Sequence, residues 1–149
     1  MANGLAGLSG LGSAEVRTKD GVRRVAIHLA AETLKIGQAR GHEVEPIWGI
    51  TAQRFVDAAE GRMMADVEHD MAERAKELAG GRPSLPQDVM RGRRTEVQYF
   101  NGYVSEQGRH VGVLTPFNDK VVGLITPVPP GTFKPDPKNL EPLVAMLPK

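Results

Sequence analysis

Cysteine is absent from the 149 residues, which excludes disulfides, thiolate-bound zinc and thiol nucleophiles. A thiol-free chain is compatible with a reducing compartment, and a cytoplasmic location is expected. No stretch reaches the ~18 consecutive apolar residues of a membrane-spanning helix. The uncharged opening, MANGLAGLSGLGSA, has neither a basic start nor a continuous apolar centre, so it is not read as an export signal. An excess of one charge is missing too: 19 basic residues face 18 acidic ones, for a formal net charge of +1. The basic residues are scattered, so neither nucleic acid nor an anionic membrane surface is expected as a partner. The short group Arg91, Arg93 and Arg94 is read as a solvated helix face. The four histidines are dispersed with no ligand spacing such as HExxH, so no metal site is expected. Alternating polar and apolar runs, the mark of half-buried strands, are also lacking.

What is present is helical periodicity. Asp20 can cap a helix through GVRRVAIHLAAETLKIGQAR, in which Val22, Val25, Ala26, Leu29, Ala30 and Ile36 make a core face and Gly41 supplies the stop. After the loop HEVEPIWGI, Thr51 opens a short helix that closes at Gly61. Met64, Val67, Met71, Ala75 and Leu78 then recur at helical spacing up to Gly80 and Gly81, with the methionines as core filler. A long helix is expected from Ser84, whose spacing to Gln87 is that of a capping box. A further helix starts at Thr115, with Pro116 at its first position, and is halted by Pro127. The fold class is all-α, with a compact helical domain over 1–126. Residues 127–149 hold seven of the eleven prolines and are expected to form an extended Pro-rich tail, with one helical turn near LEPLVAML.

Glycine is concentrated at the other end. Gly10-Leu11-Gly12 suggests a phosphate-cradling turn, but Ser13, Ala14 and Glu15 follow where a third glycine should stand, and no strand precedes. These small residues are read instead as a close-packed helix that lets a neighbour approach. His69 with Glu73, and Asp66 with Asp70, are helical neighbours on a wet face rather than ligands.

One residue breaks the helical pattern. Val89, Val97, Phe100, Tyr103 and Val104 fall on one apolar stripe, and Glu96 lies in that stripe. A carboxylate there sits at the edge of the core or is held by a partner that offsets its desolvation. Ser84 stands twelve residues earlier, about 18 Å away along a straight helix. Ser84 and Glu96 either cap a helix and border the core, or flank one elongated cleft.

The stretch RPSLPQDVMRGRRTEVQYFNGYVSEQGRHVGVLTPFND resembles the signature of the C-terminal domain of ketopantoate reductases (2-dehydropantoate 2-reductases). There an S-M-x-Q-D segment, a basic run, T-E, an aromatic, N-G and P-x-N follow in this order. The opening MANGLAGLSG is similar to the family's first C-terminal helix, and KPDPKNLEPL to a tail found in some members. The resemblance implies a helical domain of the 6-phosphogluconate-dehydrogenase-like type that closes the substrate cleft of an NADPH-dependent enzyme. That enzyme reduces ketopantoate to pantoate on the path to pantothenate and coenzyme A. On this resemblance Asn3 and Ser84 bind substrate, Ser84 at its carboxylate, and Glu96 orients the reacting groups.

The family's proton-donating lysine, two turns before the residue matched by Asn3, would lie upstream of Met1. So would a second substrate asparagine and the Rossmann domain. The resemblance therefore implies a truncated substrate domain that binds no NADPH and is inactive alone, working with a Rossmann domain in cis or in trans. The alternative is a non-catalytic helical module that homodimerises or docks a partner through its apolar cleft face.

Overall fold

The structure is a computed structural model that describes residues 2–77, 97–126 and 132–148. The described residues are helical, with a single isolated bridge between Ile47 and Ile50 and no strand. Among the described residues there are eight α-helices: α1 (Ala2–Ser9), α2 (Ser13–Thr18), α3 (Val22–Ala39), α4 (Ala52–Ala59), α5 (Met64–Glu77), α6 (Tyr103–Val111), α7 (Pro116–Ile125) and α8 (Glu141–Val144). A π-helical turn, Gln98–Gly102, leads into α6, and a 3₁₀ turn, Pro137–Leu140, leads into α8.

The longest helix, α3, is the centre. Val22, Val25, Ala26, Leu29, Ala30 and Ile36 are all buried, as the periodicity predicts, and Ile27, Ala31 and Leu34 join them. A helix buried over so wide an arc is packed from several sides, and α4, α2, α6 and α7 all lie against it. Its start differs from expectation. Gly21, at φ +74°, is the N-cap, while the Asp20 carboxylate accepts from Arg23 (2.8 Å). A left-handed residue at that point requires glycine, so Gly21 takes the cap and Asp20 is free for an ion pair.

Thr51 does cap α4, its Oγ1 accepting from the Arg54 amide at 3.4 Å, and Gly61 at φ +87° closes the segment. The loop before it ends in a tight turn. Ile47 and Ile50 exchange both backbone hydrogen bonds, with Trp48 and Gly49 at positive φ. This buries Ile50 and lays the Trp48 ring 4.2 Å from the Arg17 guanidinium. In α5, Val67, Met71 and Ala75 are buried and Met64 is half-buried, while Leu78 lies outside the described residues. Glu68, also buried, pairs with Arg23 and Arg24 and ties α5 to α3.

Two expectations are corrected. Residues 97–111 do not bury the apolar stripe. Val97 is buried, but Phe100 and Tyr103 are about half exposed, and the inward positions are Asn101, Ser105 and Gly108. The wider π-helical turn adds a residue, so the inner face runs 97, 101, 105 rather than 97, 100, 104. The C-terminal segment is also more than a surface wrap. The predicted helical turn forms, and Leu140 and Leu143 enter the core at 2% and 0% exposure. The Asp136 amide and the Asn139 side chain both donate to the Leu8 carbonyl, closing the end of α1.

Candidate functional site

Of the three residues predicted to touch substrate, Asn3 is described, whereas Ser84 and Glu96 lie outside the described residues. Asn3 is half-buried on α1, a helix otherwise enclosed by Leu5, Ala6 and Leu8, each at 0% exposure. Gly4 explains how α1 comes so close to its neighbour. A Cβ at that position would stand 2.8 Å from Asn101 Oδ1 and 3.1 Å from a Val121 methyl. Gly4 thus admits a neighbour to the backbone as expected of a small residue, but the expected helix does not run through Gly10-Leu11-Gly12: Gly10, at φ +74°, turns the chain between α1 and α2.

Asn101 belongs to a buried polar chain. Its Nδ2 donates to Asn118 Oδ1 at 2.8 Å, and Asn118 Nδ2 donates to Glu32 Oε2 at 2.6 Å. The two Glu32 oxygens also accept from the amides of Phe117 (2.8 Å) and Asn118 (3.0 Å). The Glu32 carboxylate on α3 therefore closes the N-terminus of α7. Pro116, in the first turn there, has no N–H to satisfy. Four segments converge on this chain: α1 through Gly4, the π-helical turn through Asn101, α3 through Glu32 and α7 through Asn118.

The electrostatics give the chain a fixed role. Burial pushes the Glu32 carboxyl above its usual range, opposed by hydrogen bonds from the Phe117 and Asn118 amides and the Asn118 side chain. Both oxygens are committed to donors, so Glu32 holds a geometry and is not poised to take a proton from a substrate. One turn earlier on α3, His28 stacks on Phe117 with ring centroids 4.5 Å apart. Burial, and secondly Lys35, lower its pKa and keep the ring neutral.

The sequence contained part of this arrangement. Asn101 and Asn118 stand in the N-G and P-x-N motifs, which carry the family resemblance without having been given a role. Glu32 was missed, although the signal was the one noticed at Glu96: a carboxylate between Leu29 and Ile36 on the apolar face of α3.

A nicotinamide dinucleotide, implied by the resemblance, does not fit the glycines described. Gly10 and Gly12 join two helices with no strand before them, and Glu15 Oε2 accepts from the Gly12 amide at 2.8 Å. A carboxylate occupies the donor that a pyrophosphate would need. Among the described residues no helix is long and apolar enough to cross a membrane.

No curated protein and no solved structure matches the chain. A family match does exist: the family described as ketopantoate reductase PanE/ApbA C terminal matches residues 1–128, from α1 through the end of α7. The chain, all-α and carrying the N-G and P-x-N asparagines as a buried lock beneath α1, belongs to the ketopantoate reductase C-terminal family.

Proposed function

We propose that the chain is the substrate-binding half of a 2-dehydropantoate 2-reductase-like oxidoreductase, acting in the NADPH-dependent reduction of ketopantoate to pantoate. The observation that carries this reading is the family match over residues 1–128, which includes all three residues assigned to substrate: Asn3, Ser84 and Glu96. The position of Asn3 supports it, since its helix is held from below by Asn101, Asn118 and Glu32. An asparagine amide can donate to the carboxylate of a hydroxy acid or accept from its hydroxyl. Ser84 reaches the carboxylate and Glu96 orients the reacting groups. NADPH is held by a Rossmann domain supplied in cis or in trans, and these 149 residues, without that domain and without the family's lysine, are inactive alone.

The test is NADPH oxidation with ketopantoate, by this chain alone and by the chain joined to a nucleotide-binding domain of its family. Turnover only in the joined form supports the reading. In that form Glu96→Gln should lower kcat far more than it lowers the melting temperature. Unchanged turnover would remove Glu96 from the site.

A second reading, a helical module for self-association, is favoured by one observation. Tyr99, Phe100 and Tyr103, close together around the π-helical turn, are exposed at 82%, 48% and 54%, large rings turned to the surface of one short segment. Light scattering separates the two, because a dimer that Tyr99→Ser with Tyr103→Ser converts to monomer, without reductase activity in the joined form, selects the module.

A further inference from the structure

The buried polar chain beneath α1 has a direction as well as a shape. A carboxylate accepts and does not donate, so the Asn118 amide turns its Nδ2 to Glu32 and its Oδ1 away. That oxygen needs a donor, and Asn101 supplies Nδ2 at 2.8 Å. Asn101 is thereby left with its own oxygen towards Gly4, where a Cβ would stand 2.8 Å from Oδ1. All three side chains are buried, so neither amide is free to turn over by trading its partner for bulk water. The polarity set at Glu32 is handed on, residue by residue, to the backbone of α1.

Two further observations tie this chain to the helix that carries Asn3. Asn101 belongs to the π-helical turn Gln98–Gly102, and the extra residue of that turn is what puts position 101 on the inner face. Turns of this kind are frequent where a functional side chain has to be aimed. The other wall of the Gly4 notch is a Val121 methyl, 3.1 Å from the same Cβ, and Val121 lies about one turn after Asn118 on α7. One hydrogen bond, from Asn101 to Asn118, therefore ties the two walls together. Asn3 immediately precedes Gly4 and is half-buried, so the seat of Gly4 decides where the Asn3 amide stands.

We infer that Asn101 is a positioning residue: Glu32 and Asn118 fix the direction of its amide, and its side chain seats Gly4 and so sets the place of Asn3. Asn101 acts through Asn3 and not on the substrate. The inference rests on the proposed reading for what Asn3 touches, a 2-oxo acid, and on the contacts above for the seating itself. A small displacement of a substrate-binding group is enough to matter, since about 1 Å of misplacement can cost up to a hundredfold in rate.

The test has one arm on the chain itself and one on the form joined to a nucleotide-binding domain. Asn101→Asp keeps the size of the side chain but meets Asn118 Oδ1 with an oxygen instead of a donor. In the full chain it should speed hydrogen exchange at the Leu8, Ser9 and Gly10 amides of α1 roughly tenfold, with Phe55 and Met71 unchanged. In the joined form it should raise KM for ketopantoate roughly tenfold and leave kcat nearly unaltered, as Asn3→Ala does. Added to Asn3→Ala it should do nothing more, because a residue that works through Asn3 has nothing left to place. Gly4→Ala reaches the same notch from the other side and should raise KM likewise, which keeps the test open if Asn101→Asp folds poorly. Exchange at α1 that stays slow, or a KM effect of Asn101→Asp that persists in full beside Asn3→Ala, would overturn the inference. If the unaltered joined form shows no turnover, the proposed reaction falls on its own, and the exchange arm still decides whether Asn101 seats α1.

Discussion

The segment from Val97 to Val111 has two faces that differ in kind. Its inner face presents Val97, Asn101, Ser105 and Gly108 to the core, small or polar side chains fitted to close dimensions. A Cβ on Gly108 would stand 2.6 Å from the Val113 carbonyl and 2.7 Å from a Thr115 methyl. The outer face presents Tyr99, Phe100 and Tyr103, large rings of which Tyr99 is mostly exposed and the other two about half so. The contrast teaches that closeness and hydrogen bonding, rather than hydrophobicity, decide which side of this segment is buried. Asn101 can be inside because Asn118 answers it, and the rings can be outside because nothing within the described residues needs them.

That contrast can be broken from the inner side first. Gly108→Val forces a side chain against backbone and should cost about 3 kcal/mol in chemical denaturation. An unchanged midpoint would mean that the turn at Val113 yields freely. Glu32→Gln should cost about 2 kcal/mol, because an amide nitrogen would face donors that two carboxylate oxygens now accept. A smaller loss would show that the lock is held by packing around Phe117 instead.

At the same junction His28 gives a pH signature. The unfolded ring takes up its proton near 6.5 while the folded, buried ring does so only at lower pH, so in that window the unfolded chain binds more protons. Stability should therefore fall as pH drops from about 6.5 towards the lowered folded value and then level off, and His28→Phe should flatten this slope. A slope that persists unchanged in the variant would assign it to other groups. The smallest effect belongs to the outer face. Tyr99→Ser and Tyr103→Ser should each change stability by less than ~0.5 kcal/mol, and a larger loss would mean that the two faces are not so different.

Legibility in the sequence follows the same division. The core face of α3 was readable because six apolar residues recur at helical spacing, and Thr51 because a capping side chain acts on its own helix. The family resemblance was readable from a stretch of about forty residues. The stripe through Phe100 and Tyr103 misled because a π-helical turn changes the repeat, and nothing in QYFNG announces that turn to a periodicity argument. Its cause is local and tertiary: Gln98 donates to Thr126 Oγ1 at 2.7 Å and folds over Gly102, where a Cβ would lie 2.6 Å from its oxygen. Glu32 escaped because its partners are 85 and 86 residues away in sequence. The role expected of Asn3 comes from the resemblance alone, since a half-buried asparagine on a small-residue helix has no signature of its own.

The hydrogen bond from Asn139 to the Leu8 carbonyl spans 131 residues, nearly the whole chain. The group that closes the end of α1 is thus made long after α1 itself. Contacts of such high sequence separation form late and slowly. The helix that carries Asn3, with its Gly4 notch, is therefore finished only when the segment around Asn139 docks on it, and removing that segment would unseat a helix more than a hundred residues away in sequence.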